Sequence, residues 1–364
     1  MANGIQRVRE YLQQLTTAFG SSWNRFWFTP ADPETICLLR ILVGLAALYF
    51  VASHTADLVV WFGPDGLLPA ETVRRLTGMS AAGPLGAPQP VFRWSYLYLM
   101  ESETLLWSAH VIGMIIVGCF AAGLFSRLAA VLSLIVVLSY VHRAPLIVGP
   151  FDAVLPLLLF CLCWGPTGAR WSLDQRLRTR RRAGREQPVD AAATMVPSAS
   201  TAANISQRLL QVHVAALYLL MAATQLAGQV WWAGEAMWWL IARAESRLVD
   251  LSFLSQHMVL VNAWTHGIVL FELAFGLLIW HRLARPLLLV LAPLLWLPWA
   301  LVTGHVSFSL LMLIANACFV SGEALRGTVP RHADSTLGPG ENRRADGHSR
   351  ERRAATAAET TIGS

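Results

Sequence analysis

The sequence predicts an all-α fold, a polytopic membrane bundle of about eight transmembrane helices with both termini cytoplasmic. Composition gives the first indication, because 55% of the 364 residues are hydrophobic and 14% are charged, whereas a soluble domain carries about 25% charged residues. The apolar residues also gather into runs of nearly transmembrane length, and most arginines lie between those runs. The lipid bilayer is therefore the first partner that we expect.

Eight apolar segments approach the roughly 20 residues that a transmembrane helix needs. They cover residues 36–59, 105–125, 128–141, 146–164, 209–226, 258–280, 287–302 and 306–320. The predicted divisions are an amphipathic interfacial segment (1–30), spans one to four with a long exterior loop (31–165), an arginine-rich cytoplasmic linker (166–207), spans five to eight (208–322) and a disordered cytoplasmic tail (323–364).

Arginine placement predicts the orientation. All 28 basic residues are arginine, so lysine cannot serve as a Schiff base, a phosphate ligand or a general base in this chain. Seven arginines lie between residues 170 and 185, and positively charged loops stay on the cytoplasmic side. Eight spans then place both ends, Arg127 and the turn with Arg282 and Arg285 on that side as well. Because the arginines follow the membrane topology, we do not expect nucleic acid as a partner.

The cysteines and the local motifs exclude several kinds of site. All five cysteines lie inside apolar runs, and no pair frames a loop, so neither disulfides nor a metal site is predicted. Cys161 and Cys163 are read as small apolar residues of a helix. The sequence contains none of the nucleotide, zinc-protease or hydrolase motifs of soluble enzymes.

Ionisable side chains in or beside the spans are the candidate functional residues, because each costs roughly 2.5–3.5 kcal/mol to insert. They are Arg40, His54, Asp57, His110, His142, Arg143, Asp152, His213, Glu272 and His305. Most fall in the outer half of the predicted bundle, where convergence beneath an exterior opening would form a site. The residues predicted to act as acid, base or orienting group are His142, Arg143, Asp152, His213, Glu272 and His305.

Each candidate also has a structural interpretation. His54 can be an interfacial residue at a helix end, and Arg143 with Asp152 can form an ion pair that closes a loop. His213 can form hydrogen bonds between helices. At the cytoplasmic end, Ser172 and Asp174 are predicted to cap a short helix.

The order of several motifs resembles one membrane-protein family. The motifs are WNRFWFTPADPETICLLRILVGL, FGPDGLLP, YVHRAPLIVGPFDAVL, WGPTGARWSLDQR, LLQVHVAALYLLMAATQLAGQVWWAGEAMWW and GHVSFSLLMLIANACFV. Together they cover roughly residues 23–320. They resemble the HTTM (horizontally transferred transmembrane) family, which is related to the vitamin K-dependent gamma-carboxylases. The resemblance implies a helical bundle with a cavity open to the lumen or exterior, and the expected location is a bacterial inner membrane.

The same resemblance directs attention to the helix with the His-x-x-x-x-Tyr pattern. The carboxylases use reduced vitamin K, oxygen and carbon dioxide, and a lysine near the end of this helix is thought to serve as their base. The matching position here is Gln225, and a glutamine amide cannot accept a proton near neutral pH. We therefore do not expect glutamate carboxylation. Tyr218, Gln225 and Trp232 are the predicted ligand-binding residues, with His213 directed toward a different neighbour.

Three functions stay open at this point. The first is a bundle that holds a quinone- or lipid-like ligand, or supports a partner membrane protein, without catalysis. The second is a membrane enzyme, of oxygenase or carboxylase type, that acts on a quinone or lipid. The third is a transporter, which the interrupted spans seven and eight would suit. A quinone is the candidate cofactor, and the sequence identifies no protein partner.

Overall fold

The computed structural model describes residues 2–73, 94–183, 199–243 and 248–325, and their regular secondary structure is helical. The α-helices are α1 (Ala2–Phe28), α2 (Glu34–Ser53), α3 (Leu58–Phe62), α4 (Glu103–Ala122), α5 (Ser126–Arg143), α6 (Pro150–Cys163), α7 (Leu173–Ala183), α8 (Thr201–Leu226), α9 (Gln229–Trp232), α10 (Ala236–Ile241), α11 (Met258–Leu278), α12 (Ala284–Thr303), α13 (Val306–Asn316) and α14 (Gly322–Leu325). The 3₁₀ helices are Tyr96–Leu99, Ser252–Gln256 and Ala317–Phe319. The all-α prediction is confirmed for these ranges.

Each of the eight predicted spans corresponds to one of these helices. Among the described residues, six helices are long and apolar enough to cross a membrane, namely α2, α4, α5, α8, α11 and α12. The other two, α6 and α13, contain 14 and 11 residues. A 14-residue helix is only about 21 Å long, against roughly 30 Å of hydrocarbon. The chain is therefore a helical membrane protein with six candidate spans, and the count of eight and the sidedness remain predictions.

Helix α2 is packed on several sides. It contacts α4, α5, α6, α8 and α13, and Val43, Ala47 and Val51 are completely buried along it. Its approach to α4 is close at Gly44, where an added Cβ would lie 2.7 Å from Ala121 Cα. Small residues let two membrane helices come together in this way, because their backbones can then touch.

The later helices are interlocked with the earlier ones. α8 packs against α11 and α12 against α13, but α13 also packs against α2 and α6. The hydroxyl of Thr35, in α2, donates a hydrogen bond of 3.0 Å to the carbonyl of Val320. Gln207 and Gln211 of α8 both donate to the carbonyl of Cys318. The two sets of four predicted spans therefore form one packed bundle rather than two separate halves.

A tryptophan-rich cap lies between α8 and α11. Within it, α9 contacts α8 and α11, while α10 packs on α11 and α12. Its apolar core is centred on Met237, Ile241 and Val261, with Trp231 and Trp264 packed around them. The described residues of the segment between α8 and α11 are thus folded back onto the bundle.

Helix α8 begins earlier than the apolar pattern predicts. The predicted linker extends to residue 207, but the helix starts at Thr201, after the Ser200 hydroxyl accepts a hydrogen bond from the Ala203 amide. Asn204 breaks the apolar run, yet its side chain donates to the carbonyls of Phe26 and Trp27. Polar residues here join helices, so a hydropathy criterion places the boundary too late. Residues 184–198 of the linker and the tail from 326 lie outside the described residues.

The N-terminal segment is helical as predicted. α1 exposes the apolar side chains of Tyr11, Leu12, Leu15 and Phe19, which recur at helical spacing. An exposed apolar stripe on a helix with polar residues elsewhere is what a helix lying on a membrane surface requires. Its predicted interfacial position therefore agrees with its side-chain pattern, and contact with a membrane stays a prediction.

Candidate functional site

A pocket of about 300 Å³ opens at the end of the bundle where α2 and α5 finish and α6 and α13 begin. We call it the outer pocket because the predicted orientation places this end of the bundle outside. Its polar lining includes His54, Asp152 and His305, and its aromatic lining includes Phe50, Tyr140, Phe151 and Phe308. The structure thus brings together two of the six predicted catalytic residues, Asp152 and His305. The third polar residue, His54, is the one for which the sequence also allows an interfacial position.

His54 follows the last turn of α2. Its Nδ1 atom lies 2.8 Å from the carbonyl oxygen of Phe50, one helical turn earlier. Because a carbonyl only accepts hydrogen bonds, Nδ1 carries the proton, and Nε2 of the neutral ring is then an acceptor. The imidazole lies against the Tyr140 ring, with 5.1 Å between the ring centroids.

Asp152 and His305 complete the polar lining from two helix beginnings. Asp152 is in the first turn of α6, where its Oδ2 atom accepts a hydrogen bond of 2.6 Å from the Gly149 amide. A carboxylate is favourable there because the helix N-terminus carries partial positive charge. His305 precedes α13, and its Nδ1 atom lies 2.9 Å from the carbonyl of Thr303. In the neutral form of this ring, Nε2 is likewise an acceptor.

A hydrogen-bond chain leads to the outer pocket from the loop after α2. The hydroxyl of Tyr140 is 2.7 Å from Nδ1 of His110, and Nε2 of His110 is 2.9 Å from the hydroxyl of Thr55. Tyr140 and His110 are buried in the bundle, while Tyr140 also lines the pocket. Tyr140 is not a candidate from sequence, because a tyrosine inside a span is uncharged and is typical of a buried core residue.

His142 and Arg143 hold the loops around this end of the bundle. The buried guanidinium of Arg143 donates a hydrogen bond of 2.6 Å to the carbonyl of Leu68, in the FGPDGLLP segment. It also lies 5.2 Å from the centre of the Tyr98 ring. Nδ1 of His142 is 2.9 Å from the carbonyl of Trp94. Neither residue lines the outer pocket, so the geometry assigns them loop contacts, and their predicted catalytic role stays a prediction.

His213 and Tyr218 face different neighbours, as the helical spacing predicts. Nδ1 of His213 bonds to the Leu209 carbonyl within α8, and the ring lies near the thiol of Cys161 in α6. The fully buried Tyr218 stacks on Phe275 of α11, with ring centroids 4.0 Å apart. Its hydroxyl is hydrogen-bonded to Asn316 and to the indole of Trp296. Tyr218 therefore joins α8, α11, α12 and α13.

Gln225 faces the carboxyl group of Glu272. Its Nε2 atom donates a hydrogen bond of 3.1 Å to Glu272 Oε1, and Glu272 is only 2% exposed. Gln225 and Tyr218 thus share the α8 face that packs on α11. Trp232 is largely exposed, and its indole N–H donates to the Leu226 carbonyl at the end of α8. Of the three predicted ligand-binding residues, Trp232 lies in the tryptophan-rich cap, Gln225 lies in the last turn of α8, and Tyr218 lies in the main core of the bundle. None of them lines the outer pocket.

The opposite end of the bundle is organised around Arg40. This completely buried arginine of α2 donates hydrogen bonds of 2.8 and 2.7 Å to the carbonyls of Thr167 and Trp171. Gly123 leaves room for the guanidinium, because its φ is +74° and an added Cβ would lie 2.4 Å from Arg40 Nη1. Arg170 forms an ion pair with the buried Glu34. The WGPTGARWSLDQR segment is thus fixed beneath α2.

Ser172 caps the short helix α7 as predicted, whereas Asp174 caps a different helix, α5, because its carboxylate lies against the first amides of that helix. Ser172 precedes α7 and accepts a hydrogen bond from the Gln175 amide. Asp174 reaches across to the beginning of α5, where its carboxylate accepts from the amides of Phe125 and Ser126 and from the Ser126 hydroxyl, each at 3.0 Å. Partial burial opposes ionisation of Asp174, but these hydrogen bonds and the nearby Arg178 leave its pKa below the ordinary value.

Asp174→Ala is expected to lower the free energy of unfolding by about 1 kcal/mol at pH 7, because α5 loses its capping carboxylate. A lowered carboxyl pKa stabilises the fold above the unfolded-state value of about 3.9 and ceases to do so as the pH falls through the folded-state value. The difference between the two proteins should therefore narrow below pH 4. Thermal unfolding in detergent from pH 7 to pH 3 measures it, and a gap independent of pH would contradict the assignment.

Comparisons with known proteins identify no relative of this chain. No protein-family model matches the chain, and neither the curated proteins nor the solved structures give a match. The resemblance to the HTTM family therefore depends on the ordered motifs alone. Several of those motifs stabilise the structure. Arg40 and Arg143 donate hydrogen bonds to the carbonyls of Thr167 and Leu68, and Asp174 caps the beginning of α5.

Proposed function

We propose that this protein is a membrane protein of the gamma-carboxylase-like HTTM family that holds a quinone-like ligand in the outer pocket. The observation that carries the proposal is the convergence of His54, Asp152 and His305 among aromatic rings. A pocket with aromatic walls and a few directed polar groups is typical of small-molecule sites, which span roughly 300–1,000 Å³. At about 300 Å³, the outer pocket suits a single ring system better than a large ligand.

The polar lining favours a ligand that donates hydrogen bonds. His54 and His305 each commit Nδ1–H to a backbone carbonyl, so their neutral rings offer accepting nitrogens. Asp152, when ionised, offers carboxylate oxygens beyond the one bonded to Gly149. A hydroquinone presents two hydroxyl donors on a flat ring, whereas the oxidised quinone presents only acceptors. The reduced form is therefore the ligand that this pocket complements.

A catalytic function is the second candidate, and the chain from Thr55 through His110 to Tyr140 favours it. The two hydrogen bonds, at 2.9 and 2.7 Å, join the loop after α2 to Tyr140, a residue that lines the pocket. Such a chain can carry a proton between a bound hydroquinone and the aqueous side, as acid–base catalysis requires. The protein would then be an oxygenase-type membrane enzyme, with molecular oxygen as the oxidant of the hydroquinone, and Tyr140→Phe should remove turnover without removing binding.

Glutamate carboxylation is not part of the proposal. Gln225 occupies the position that the motif order assigns to the carboxylase base, and the chain contains no lysine. Glu272, the partner of Gln225, lies beneath the tryptophan-rich cap and does not line the outer pocket. The proposed setting is a bacterial inner membrane with eight spans, in which α6 and α13 are the short ones, and with the arginine-bearing end in the cytoplasm.

Binding of menadiol and menadione to the purified protein tests the proposal. Menadiol should bind more tightly than menadione, and His305→Phe should weaken menadiol binding about fivefold by removing one acceptor while keeping a ring. His266→Phe is the matched control, because His266 is exposed on α11 and bonds its own helix through Nδ1 in the same way. Tryptophan fluorescence and isothermal calorimetry measure both variants.

Two results would contradict this function. One is equal menadiol affinity in His305→Phe and the native protein, which would place the ligand elsewhere. The other is the absence of any quinone or other ring-bearing lipid when small molecules that copurify in mild detergent are identified by mass spectrometry. A quinone that still copurifies with His305→Phe but is lost from Glu272→Gln would move the site to Glu272.

A further inference from the structure

A second cavity lies at the opposite end of the bundle from the outer pocket. It has a volume of about 680 Å³ and is bounded by the turn between α4 and α5, the loop after α6 and helix α7. We call it the arginine cavity. Its polar lining includes Arg127, Arg178 and Asp174, and its apolar lining includes Leu124, Phe125, Leu128 and Leu177. Because α4 and α5 are candidate spans, this cavity lies where the bundle leaves the membrane.

The charges in the arginine cavity are not balanced by the protein. Asp174 supplies one carboxylate, and three hydrogen bonds from the beginning of α5 already engage it. Among the residues that the structure describes, no ion pair within 4.0 Å joins Arg127 or Arg178 to a carboxylate. Both side chains are exposed, and Arg176 and Arg180 extend the positive surface along α7. The cavity therefore presents positive charge to an anion.

The apolar side of this cavity is held outward by unusual backbone geometry. In the described parts of the chain, Phe125 and Trp171 are the non-glycine residues with positive φ, at 49° and 48°. Asp174 binds the Phe125 amide, and Arg40 binds the Trp171 carbonyl. Their rings remain 69% and 49% exposed. Phe125 lines the cavity, whereas Trp171 lies two residues after the lining residue Ala169 and does not line it. A left-handed conformation is disfavoured for aromatic residues, so its fixed occurrence at Phe125 indicates a purpose for that outward ring.

We propose that the arginine cavity binds one anionic glycerophospholipid. Arg127 and Arg178 contact its phosphate group, and the acyl chains run along the exposed side chains of Phe125, Leu128 and Leu177. The site is separate from the outer pocket and does not depend on the function proposed for it. Its occupant would be a structural lipid that holds α7 against the turn between α4 and α5.

A phospholipid fits better than a soluble anion because charge and apolar surface meet in this one cavity. Phosphate binding by arginine explains the charge, since the guanidinium matches phosphate oxygens in a bidentate manner. A soluble phosphate would leave Phe125 and Leu128 without a partner. Interfacial aromatic residues such as Trp171 also mark the level of the lipid head groups. One phospholipid molecule satisfies both sets of groups.

Lipid binding by the full chain, purified in a neutral detergent, tests this inference. Native mass spectrometry should detect one tightly bound palmitoyl-oleoyl phosphatidylglycerol and much weaker binding of the phosphatidylcholine with the same chains. A basic residue near a charged membrane contributes a factor of about five in affinity. The Arg127→Gln/Arg178→Gln variant should therefore bind phosphatidylglycerol about 25-fold more weakly, and Arg178→Gln alone about fivefold more weakly.

The matched control is Arg25→Gln/Arg282→Gln, which removes two exposed arginines from the same end but outside the cavity lining. It should change the affinity less than about twofold. Equal loss in the control, or equal binding of phosphatidylcholine, would overturn the inference. Displacement of the lipid by inorganic phosphate alone would assign the cavity to a soluble anion instead. Thermal midpoints check folding, and the single variant keeps the test available if the double variant is unstable.

Discussion

Arg40→Met is expected to lower the free energy of unfolding by about 3–5 kcal/mol, because two charge-assisted hydrogen bonds are lost at once. Methionine fills much of the same space but cannot donate to the carbonyls of Thr167 and Trp171. These carbonyls belong to the loop that ends at Ser172 and leads into α7, and Asp174 of α7 caps α5, so α7 should detach from the beginning of α5 as well. Thermal unfolding in detergent measures the loss, and protease cleavage in α7 measures the detachment.

Arg282→Met serves as the control for Arg40. Arg282 is exposed at the same end of the bundle, so its replacement should change the free energy of unfolding by less than about 0.5 kcal/mol. A similar loss in both variants would mean that arginine number, rather than the position of Arg40, sets stability. An Arg40→Met protein as stable as the native one would show that the loop has other attachments sufficient to hold it.

Gln225→Lys is expected to fold with nearly native stability, although it places an ammonium group inside the bundle. Gln225 already donates a hydrogen bond to Glu272, and that carboxyl group would pair with the new charge. Removing the partner should be severe: Gln225→Lys/Glu272→Gln should be about 3–5 kcal/mol less stable than Gln225→Lys, because an unpaired buried charge remains. Chemical unfolding of the four proteins in a double-mutant cycle measures the coupling.

Glu272→Gln alone is the control in this cycle and should stay within about 1 kcal/mol of the native protein, since two amides can still form a hydrogen bond. Additive effects of the two substitutions would show that Gln225 and Glu272 do not interact in the membrane. Strong coupling would instead show that a lysine introduced at the position of the carboxylase base has a ready counter-ion in this bundle.

The helices were predictable from sequence because hydropathy reports burial in lipid directly. Every predicted span contains a helix, and Ser172 caps α7 as predicted, but Asp174 caps α5, a contact that depends on tertiary packing. The beginning of α8 was placed too late because Asn204 and Gln207 are polar for tertiary reasons, which a local window cannot detect. Hydropathy also cannot determine how many helices cross the membrane, because α6 and α13 are apolar but short.

The candidate site was only partly predictable, because convergence depends on how helices pack. Asp152 and His305 are 153 positions apart in the chain and meet only through the packing of α13 on α6. Ionisable character identified both, but the same criterion selected Arg143, which contacts the Leu68 carbonyl instead. Tyr140 gave no charge signal, and its importance comes from the hydrogen bond to His110.

The position of α13 against α2 has a consequence for biosynthesis. A membrane protein leaves the ribosome N-terminus first, yet the partner of Thr35 is Val320, 285 residues later. Until that carbonyl is made, α2 lacks its contacts with the last helices of the bundle. Gln207 and Gln211 also lack their hydrogen-bond acceptor. Assembly of the core is therefore a post-insertion event, and a chain whose translation stops before α13 exposes polar side chains that membrane quality-control proteases can detect.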